Sequence, residues 1–355
     1  MRDRFGREID YMRISVIDSC NLNCYYCNPQ DNDKKCQAIN TLSVKKVFCI
    51  VRAATRLGIT HFRLTGGEPL LHPQIDEMVS QIKKIPGVRS VSLTTNAVLL
   101  AQHAKWLKEA GIDSINVSLD TIDASEYERI TKKPLLEEVK HGINAAIECG
   151  IRVKINVVLT PQTDVVALTR YVAKKGTDIR FIEMMPVGEG HTNGVEPYKK
   201  VIGTLSKLYG EPCRINTEKT KEINSGNDKR KIPDNGPAEY YIFPELGIRV
   251  GLIQAIHGKF CDTCNRIRVT ADGRLMPCLG SSVTMDLVPD SCEFTDDLEK
   301  DFVIAQALKA AIKAKPGCHN FNDNAVTYTK TTETKTTEIE AAEVNAARNM
   351  SRIGG

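Results

Sequence analysis

Three cysteines near the amino terminus constrain this chain more than any other feature. Cys20, Cys24 and Cys27 form a C-x3-C-x2-C segment directly after an apolar run at residues 12–17. Thiolates at these offsets on one loop can converge on a soft metal centre, and three ligands rather than four favour an iron–sulfur cluster with one open iron. A zinc knuckle and buried structural thiols are the alternatives, and the cysteine count alone does not separate them.

A glycine-rich segment follows the next predicted strand. It reads Gly66-Gly67-Glu68-Pro69, and both it and the cysteine segment come directly after a strand-like run. This pair of motifs resembles the radical S-adenosylmethionine superfamily, in which the unligated iron binds the amino and carboxylate groups of S-adenosylmethionine. The resemblance implies one [4Fe-4S] cluster on the three cysteines.

Composition limits the classes of protein that the chain can represent. At 355 residues with 41% hydrophobic residues it can build one large domain or two ordinary ones. The net charge of +4 is too slight to indicate nucleic-acid binding. No apolar run has membrane-spanning length and the first ten residues are charged, so we expect a cytoplasmic location, with the 12 cysteines as reduced thiols and metal ligands.

Strand-like and helix-like runs alternate from residue 11 to about residue 185. The predicted strands are residues 11–17, 61–64, 90–95, 114–119, 152–159 and 178–184. The predicted helices between them are residues 44–57, capped by Ser43, and residues 73–85, 101–110 and 137–149. This order predicts an α/β fold: a parallel sheet with helices outside, curled into an open, partial barrel, with chemistry at the carboxyl ends of the strands.

The pattern weakens after residue 185. Residues 197–209 indicate one amphipathic helix, residues 216–236 an exposed linker or hairpin, residues 248–253 a strand and residues 298–314 a helix. We therefore predict two domains, a radical S-adenosylmethionine partial barrel at residues 1–245 and a C-terminal region at residues 246–355.

A second cysteine cluster lies in that C-terminal region. Cys261, Cys264 and Cys278 are spaced C-x2-C-x13-C, with no histidine at ligand spacing. Taken alone, the cluster favours zinc with a fourth ligand from elsewhere. In a chain that already carries one iron–sulfur motif, a second cluster with an open iron for substrate becomes the stronger interpretation.

Basic residues accompany both cysteine clusters. Alternation along the strand after Cys264 puts Arg266 and Arg268 on one face and Ile267 on the other, and two adjacent guanidiniums form a fork for phosphate or carboxylate. Further cations lie at strand positions whose side chains can point into the barrel, namely Arg13, Arg63, Lys154 and Arg180. Buried cations need partners, so these imply either paired carboxylates or an anionic substrate such as a triphosphate. Glu68 is placed to accept from the amino group of S-adenosylmethionine or to brace its loop.

The full order of motifs resembles one family within the superfamily, the GTP 3′,8-cyclases (MoaA family) of molybdenum cofactor biosynthesis. The motifs are the first cysteine segment, RLTGGEPL at residues 63–70, NVSLD at 116–120, RFIE at 180–183, the second cysteine cluster with its Arg-x-Arg, and the terminal Gly354-Gly355. The resemblance covers about residues 5–280 and the last few residues. It implies a radical S-adenosylmethionine barrel with a C-terminal region carrying a second iron–sulfur cluster.

The resemblance also implies a reaction. Two [4Fe-4S] clusters would flank GTP, and reductive cleavage of S-adenosylmethionine would give a 5′-deoxyadenosyl radical that takes the ribose 3′ hydrogen. Bonding of C3′ to guanine C8 would give 3′,8-cyclo-7,8-dihydro-GTP. The implied contacts to S-adenosylmethionine are Tyr26, Gly67, Ser118 and Met185, and those to GTP are Arg13, Arg63, Thr94, Lys154, Arg266, Ile267 and Arg268.

Further implications concern the second cluster and the partners. Cys261, Cys264 and Cys278 would ligate a cluster whose open iron meets guanine, and the Gly354-Gly355 tail would reach into the active site. A MoaC-type protein would take the product onward, a flavodoxin or ferredoxin would supply electrons, and a homodimer is a candidate assembly.

The chain departs from the family pattern at two positions. Asn28 stands where the family typically has methionine, and His61 stands where lysine or arginine is more usual, which weakens one phosphate contact at neutral pH. Two competing hypotheses are a peptide-modifying radical enzyme with an auxiliary cluster and a zinc-bearing binding protein on a barrel scaffold.

Overall fold

The structure is a computed structural model that describes residues 1–27, 39–187, 195–215, 236–281, 283–287, 297–319 and 321. Strands and helices alternate through its first half. They are β1 (Tyr11–Ser15), α1 (Val44–Thr55), β2 (His61–Thr65), α2 (Ile75–Lys83), β3 (Ser90–Thr95), α3 (Leu100–Glu109), β4 (Ser114–Ser118), α4 (Ala124–Thr131), α5 (Leu136–Glu148), β5 (Val153–Val158), α6 (Val165–Lys174) and β6 (Asp178–Ile182).

Short strands and two helices make up the second half. They are α7 (Gly203–Tyr209), β7 (Cys213–Arg214), β8 (Glu239–Ile242), β9 (Arg249–Ile253), β10 (Arg266–Val269), β11 (Arg274–Met276), β12 (Met285–Asp286) and α8 (Asp297–Lys313). Single 3-10 turns occur at Pro69–Leu71 and Cys261–Thr263.

One twelve-stranded sheet joins all these strands in the order β12-β11-β10-β1-β2-β3-β4-β5-β6-β9-β8-β7. The eight central strands, from β10 to β9, run parallel to one another. The two outer strands at each end pair in antiparallel fashion, β12 and β11 at one end and β8 and β7 at the other. The ends of the sheet, β12 and β7, do not pair with each other within the described residues. The predicted α/β fold with an open barrel is therefore confirmed.

The strands alternate between the helix side and the inside of the barrel. In β1, Met12 and Ile14 are fully buried in the core that the helices cover, whereas Tyr11 and Arg13 line the interior cavity. Strand residues point to opposite faces in turn, so a single strand supplies both the core and the site. Burial of the apolar positions against the helices is thus what turns the polar positions inward.

The predicted elements form with ends that differ by at most two residues. Ser43 caps α1 as predicted, because its hydroxyl accepts a hydrogen bond from the backbone of Lys46 at 3.2 Å. The prediction of one continuous helix at residues 197–209 is wrong, since a π-helical turn at Tyr198–Ile202 precedes α7. Sequence patterns also did not indicate α4 and α6 separately.

Strands from both sides of the predicted boundary at residue 245 belong to the same sheet. Strand β9 pairs with β6 and β10 pairs with β1, while the boundary itself remains a prediction. The predicted linker falls almost wholly outside the described residues. Among the described residues, no helix combines the length and apolar character needed to cross a membrane.

Candidate active site

A cavity of about 880 Å³ occupies the inside of the barrel. Residues of all six strands β1 to β6 line it, together with β10 and both cysteine clusters. This volume lies toward the upper end of the range for small-molecule sites. The two predicted centres of chemistry therefore open onto one shared space.

The first cysteine segment forms a tight loop at the carboxyl end of β1. Cys20, Cys24 and Cys27 all line the cavity, and the backbone N–H of Cys27 donates to the carbonyl of Cys24 at 2.9 Å. Helix α4 anchors the loop, because its carbonyls at Ile130 and Thr131 accept hydrogen bonds from the backbone of residues 25 and 23.

Burial raises the thiol pKa values in this loop. The pKa of Cys20 rises to about 11, and burial together with the charge of Asp120 also raises the pKa of Cys24. Only a thiolate ligates iron, so loading a metal centre here must release protons. Burial therefore favours the neutral thiol of Cys20 and of Cys24 in the metal-free loop.

Each cysteine cluster offers three thiols, which limits the kind of metal centre that it can hold. Across the described ranges, no group of three or more Cys, His, Asp or Glu side chains converges closely enough to hold one metal ion. Zinc needs four donors at about 2.0–2.3 Å from one atom, whereas each cysteine of a [4Fe-4S] cluster binds a different iron, so its ligands stand farther apart. Three thiolates at each site are one donor short of the four that a structural zinc site requires, whereas an iron–sulfur cluster with one open iron takes three.

The glycine-rich segment packs backbone to backbone against the cysteine loop. The N–H of Gly67 donates to the carbonyl of Ile17 at 2.7 Å, and a Cβ on Gly67 would stand 2.2 Å from the carbonyl oxygen of Ser19. Only glycine permits that approach. The segment fixes the position of the residue next to Cys20 and lines the cavity at the same time.

The buried carboxylate of Glu68 stabilises this glycine-rich segment through hydrogen bonds. Glu68 is 1% exposed, and its carboxylate accepts hydrogen bonds from the backbone of Leu70 at 3.0 Å, the hydroxyl of Thr95 at 2.7 Å and the backbone of Asn96 at 2.7 Å. Burial raises its pKa to about 7. Of the two roles considered for Glu68, the structure supports bracing, because both carboxylate oxygens are engaged within the protein.

The four residues predicted to contact S-adenosylmethionine lie around the same end of the cavity. Tyr26, Gly67, Ser118 and Met185 all line it. The Tyr26 hydroxyl donates to Asp120 at 2.5 Å, and the other oxygen of Asp120 accepts from the backbone of Val158 at 2.7 Å. Burial raises the pKa of Asp120 to about 6.

Two further polar residues that were not predicted as site residues line the cavity. One is Asp120, which holds Tyr26 through its hydroxyl. The other is Asn96, whose side-chain amide donates to the side-chain oxygen Oδ1 of Asn21 at 2.7 Å and to the sulfur of Cys20 at 3.8 Å. Their position directly after strand ends was the available signal, since polar residues there face the site in parallel α/β folds.

Six cations line the middle of the cavity: Arg13, Arg63, Lys154, Arg180, Arg266 and Arg268. The register places Arg13 directly between Arg63 on β2 and Arg268 on β10. Thr94, also predicted, lines the cavity and accepts from Arg63 at 3.3 Å. Ile267 differs, because its side chain is 1% exposed in the core, so that only its backbone can reach a ligand.

Carboxylates do not neutralise four of these arginines, Arg13, Arg63, Arg180 and Arg266, in the described part of the chain. Arg63 donates to the Tyr11 hydroxyl and Arg180 donates to Asn156 at 2.9 Å, while one terminal nitrogen of Arg180 is buried without a partner. Arg266 lies over the rings of Tyr11 and Phe260, at 6.0 and 5.6 Å from the ring centroids. The alternative of paired carboxylates therefore does not apply to Arg13, Arg63, Arg180 or Arg266.

The excess positive charge shifts the titration of its neighbours. Burial and the adjacent Arg268 lower the pKa of Arg13, and burial and Arg266 lower the pKa of Arg268 to about 10. Burial raises the pKa of Tyr11, but Arg63 and Arg13 outweigh it and lower that pKa to about 8. A site with these properties favours a ligand of high negative charge.

His61 and the chain terminus complete the comparison with the sequence predictions. His61 lines the cavity, contacts the Ser90 hydroxyl at 2.8 Å and has its pKa lowered by burial, so it is neutral at pH 7 as expected. Asn28, Gly354 and Gly355 lie outside the described residues.

The second cysteine cluster lies between β9 and β10 and also lines the cavity. Cys261 and Cys264 flank a single 3-10 turn, with the N–H of Cys264 donating to the carbonyl of Cys261 at 3.2 Å, and Cys278 follows β11. Burial raises the pKa of Cys261. For Cys264 burial acts in the same direction, but Lys315 and Arg266 outweigh it and lower the pKa.

Comparisons with known proteins agree with this geometry. Residues 14–167 match the family model of the radical SAM superfamily, and residues 177–321 match the model named Molybdenum Cofactor Synthesis C. The solved structure of Streptococcus suis SuiB bound to S-adenosylmethionine superposes with a TM-score of 0.57 over 86% of this chain and 68% of SuiB. Its identity to this chain is 14%, so this likeness shows a shared fold alone.

Curated relatives are similar over nearly the whole chain. A protein of Alkaliphilus metalliredigens named GTP 3′,8-cyclase is 34% identical over 359 aligned residues that cover 100% of both chains. A protein of the same name from Pelotomaculum thermopropionicum is 36% identical over 327 residues, covering 90% of this chain and 95% of the relative. With both family models and full-length relatives in agreement, the chain belongs to the GTP 3′,8-cyclase family of the radical S-adenosylmethionine superfamily.

Proposed function

We propose that this chain catalyses GTP 3′,8-cyclisation, the first step of molybdenum cofactor biosynthesis. The observation that carries the proposal is the group of arginines, free of carboxylate partners at four positions, between two cysteine triads that open on one cavity. When bound, the first cluster and S-adenosylmethionine supply a 5′-deoxyadenosyl radical that removes the 3′ hydrogen of GTP. Closure of the C3′–C8 bond, followed by uptake of one electron and one proton, would give 3′,8-cyclo-7,8-dihydro-GTP.

The residues near the first triad would bind and orient S-adenosylmethionine. Cys20, Cys24 and Cys27 would hold the [4Fe-4S] cluster that the superfamily implies. Gly67 offers backbone without a side chain beside the cysteine loop, which suits close approach of a ligand. Tyr26, Ser118 and Met185 would make the remaining contacts, with Tyr26 held in place by Asp120.

The cations would hold the triphosphate and fix the ribose. Arg13, Arg63, Lys154, Arg266 and Arg268 would bind phosphate oxygens, and Thr94 would add a hydroxyl contact. Arginine suits this role because its planar fork matches phosphate geometry. Fixing the ribose relative to the first triad is what directs the reaction to one hydrogen, because a reacting atom must lie within about 3–3.5 Å of its target.

The second triad would complete the site from the other side. Cys261, Cys264 and Cys278 would hold a second [4Fe-4S] cluster whose open iron binds the guanine base. The terminal Gly354-Gly355, free of side chains, would thread into the active site. Ile267 would contribute only through its backbone.

The proposed assignment extends to partners and cellular context. A MoaC-type protein would consume the product, and a flavodoxin or ferredoxin would supply the reducing electron. A cytoplasmic location, a homodimer and the domain boundary at residue 245 belong to the same proposal.

The direct test is anaerobic incubation of the reconstituted chain with GTP, S-adenosylmethionine and dithionite. We expect 5′-deoxyadenosine to appear together with loss of GTP, and the cyclised nucleotide to be identified by mass and NMR. ATP in place of GTP is the matched substrate control, and Cys20→Ala is the control that abolishes radical formation.

Each contrary result identifies a different error. Formation of 5′-deoxyadenosine without loss of GTP would support the radical chemistry but exclude GTP as the substrate. That result would favour the alternative of a peptide-modifying enzyme. A colourless protein would exclude iron–sulfur chemistry. Reconstitution to about four irons per chain rather than about eight would exclude the second cluster.

A further inference from the structure

A buried lysine beyond the last helix contacts the second cysteine triad. Lys315 is 2% exposed and follows α8 by two residues. Its ammonium donates to the carbonyl of Arg266 at 2.8 Å and to the carbonyl of Pro277 at 2.9 Å, and Lys315 lines the same cavity as the three cysteines of this triad. Pro277 directly precedes Cys278, so one side chain joins the two segments that carry two of the three cysteines.

Contacts on both sides hold this lysine in place. The guanidinium of Arg7 donates to the carbonyls of Pro316 at 2.7 Å, Gly317 at 3.0 Å and Cys261 at 2.8 Å. Within α8, the buried carboxylate of Asp301 pairs with two arginines of α1. The ion pairs of Asp301 therefore fix α8, which precedes Lys315, to the barrel. The hydrogen bonds of Arg7 fix the turn that carries Lys315 to the segment at Cys261.

The charge of Lys315 needs an anion. An ammonium out of contact with water is costly unless it is paired. No carboxylate lies within ion-pair distance of Lys315 in the ranges that the structure describes, and Lys315 shares the lining of the cavity with Cys261, Cys264 and Cys278. A cluster bound by three thiolates has a net negative charge, and that charge grows by one when the cluster accepts an electron.

We propose that Lys315 is a positioning residue of the second cysteine triad, whose ammonium acts as the fixed counter-charge of the iron–sulfur cluster bound there and favours its reduced state. This inference rests on the second cluster of the proposed function. Reduction takes one electron from an external reductant such as dithionite and adds one negative charge to the cluster. The nearby ammonium stabilises that charge, because its interaction is little screened in a buried site.

The test uses the full-length chain with Cys20, Cys24 and Cys27 replaced by alanine, so that iron and spectra report the second triad alone. Lys315→Met removes the charge and keeps the length of the side chain, and Lys313→Met, at the exposed last position of α8, is the matched control. The readouts are iron per chain after anaerobic reconstitution and the midpoint potential from a redox titration followed by electron paramagnetic resonance.

We expect the cluster in Lys315→Met to bind an electron about tenfold more weakly than the cluster in the parent. This equals a midpoint potential about 59 mV more negative for a one-electron couple. Lys313→Met should match the parent. An unchanged potential in Lys315→Met would overturn the inference even if iron content fell, because loss of packing alone does not change the charge beside the cluster.

Two further variants cover the case in which Lys315→Met binds no iron. Lys315→Arg keeps the charge and Lys315→Gln keeps only hydrogen bonding. Iron retained in the arginine variant and lost in the glutamine variant supports the counter-charge, and equal iron content in the two overturns it. If the parent itself binds no iron, the proposed second cluster fails, and that outcome is distinct from a failure of Lys315.

Discussion

Replacing Glu68 by glutamine should remove a pH-dependent part of the stability of this fold. The carboxyl of Glu68 is 1% exposed, and burial raises its pKa from the ordinary value of 4.5 to about 7. Because the folded-state pKa lies above the unfolded value, this group contributes stability that is fully present below pH 4.5 and is lost as the pH rises through 7. Glutamine does not titrate and lacks this contribution.

The expected magnitude follows from the two pKa values. The gap between 4.5 and about 7 corresponds to about 3 kcal/mol, since one pKa unit is worth about 1.4 kcal/mol. The free energy of unfolding of the parent should therefore fall by about 3 kcal/mol relative to Glu68→Gln between pH 4 and pH 8. Other titrating groups affect both chains alike, so the difference isolates this one carboxyl.

Urea unfolding of the metal-free chain, followed by circular dichroism under anaerobic reducing conditions, measures this difference. Glu77→Gln on α2 is the matched control, because its carboxylate is exposed and bonded only to the side chains of Gln74 and Gln81. The free energy of unfolding of the control should change with pH in the same way as that of the parent. Parallel pH profiles for the parent and Glu68→Gln would refute the assignment of Glu68 as a buried, titrating brace.

Three further substitutions test other parts of the site. Arg266→Ala should weaken GTP binding by about tenfold or more in equilibrium dialysis, since a hydrogen bond to a charged group contributes about 1.5–3 kcal/mol. Cleavage of S-adenosylmethionine should persist in this variant, and Arg274→Ala, at an exposed position, is the control. An unchanged affinity for GTP would show that Arg266 does not bind the substrate. Gly67→Ala should lower reconstituted iron, because its Cβ would stand 2.2 Å from the carbonyl oxygen of Ser19, and full iron content would contradict this. Asp301→Asn should lower the free energy of unfolding by about 1–3 kcal/mol by weakening the contact of α8 with α1; an unchanged melting curve would show that this pair does not hold the helix.

Local patterns account for the part of the fold that could be predicted. The alternation of buried and cavity-facing residues in β1, and the cap that Ser43 gives α1, depend on neighbours within a few positions. The same holds for the placement of Arg266 and Arg268 on one face and Ile267 on the other. The π-helical turn before α7 was missed, because its apolar spacing does not differ from that of an ordinary helix.

The sequence by itself determined the two cysteine triads, the glycine-rich segment and the strand-helix alternation, since spacing along the chain sets which donors can share a loop. Tertiary structure alone decided that β10 and β9 extend the two edges of the barrel, which brings the second triad over the same cavity as the first. It also decided that Glu68 braces its loop through residues 95 and 96, and that Lys315 joins the backbone carbonyls of Arg266 and Pro277. The physical reason is that these contacts join segments far apart in sequence, and their energies depend on packing and charge that no local pattern encodes.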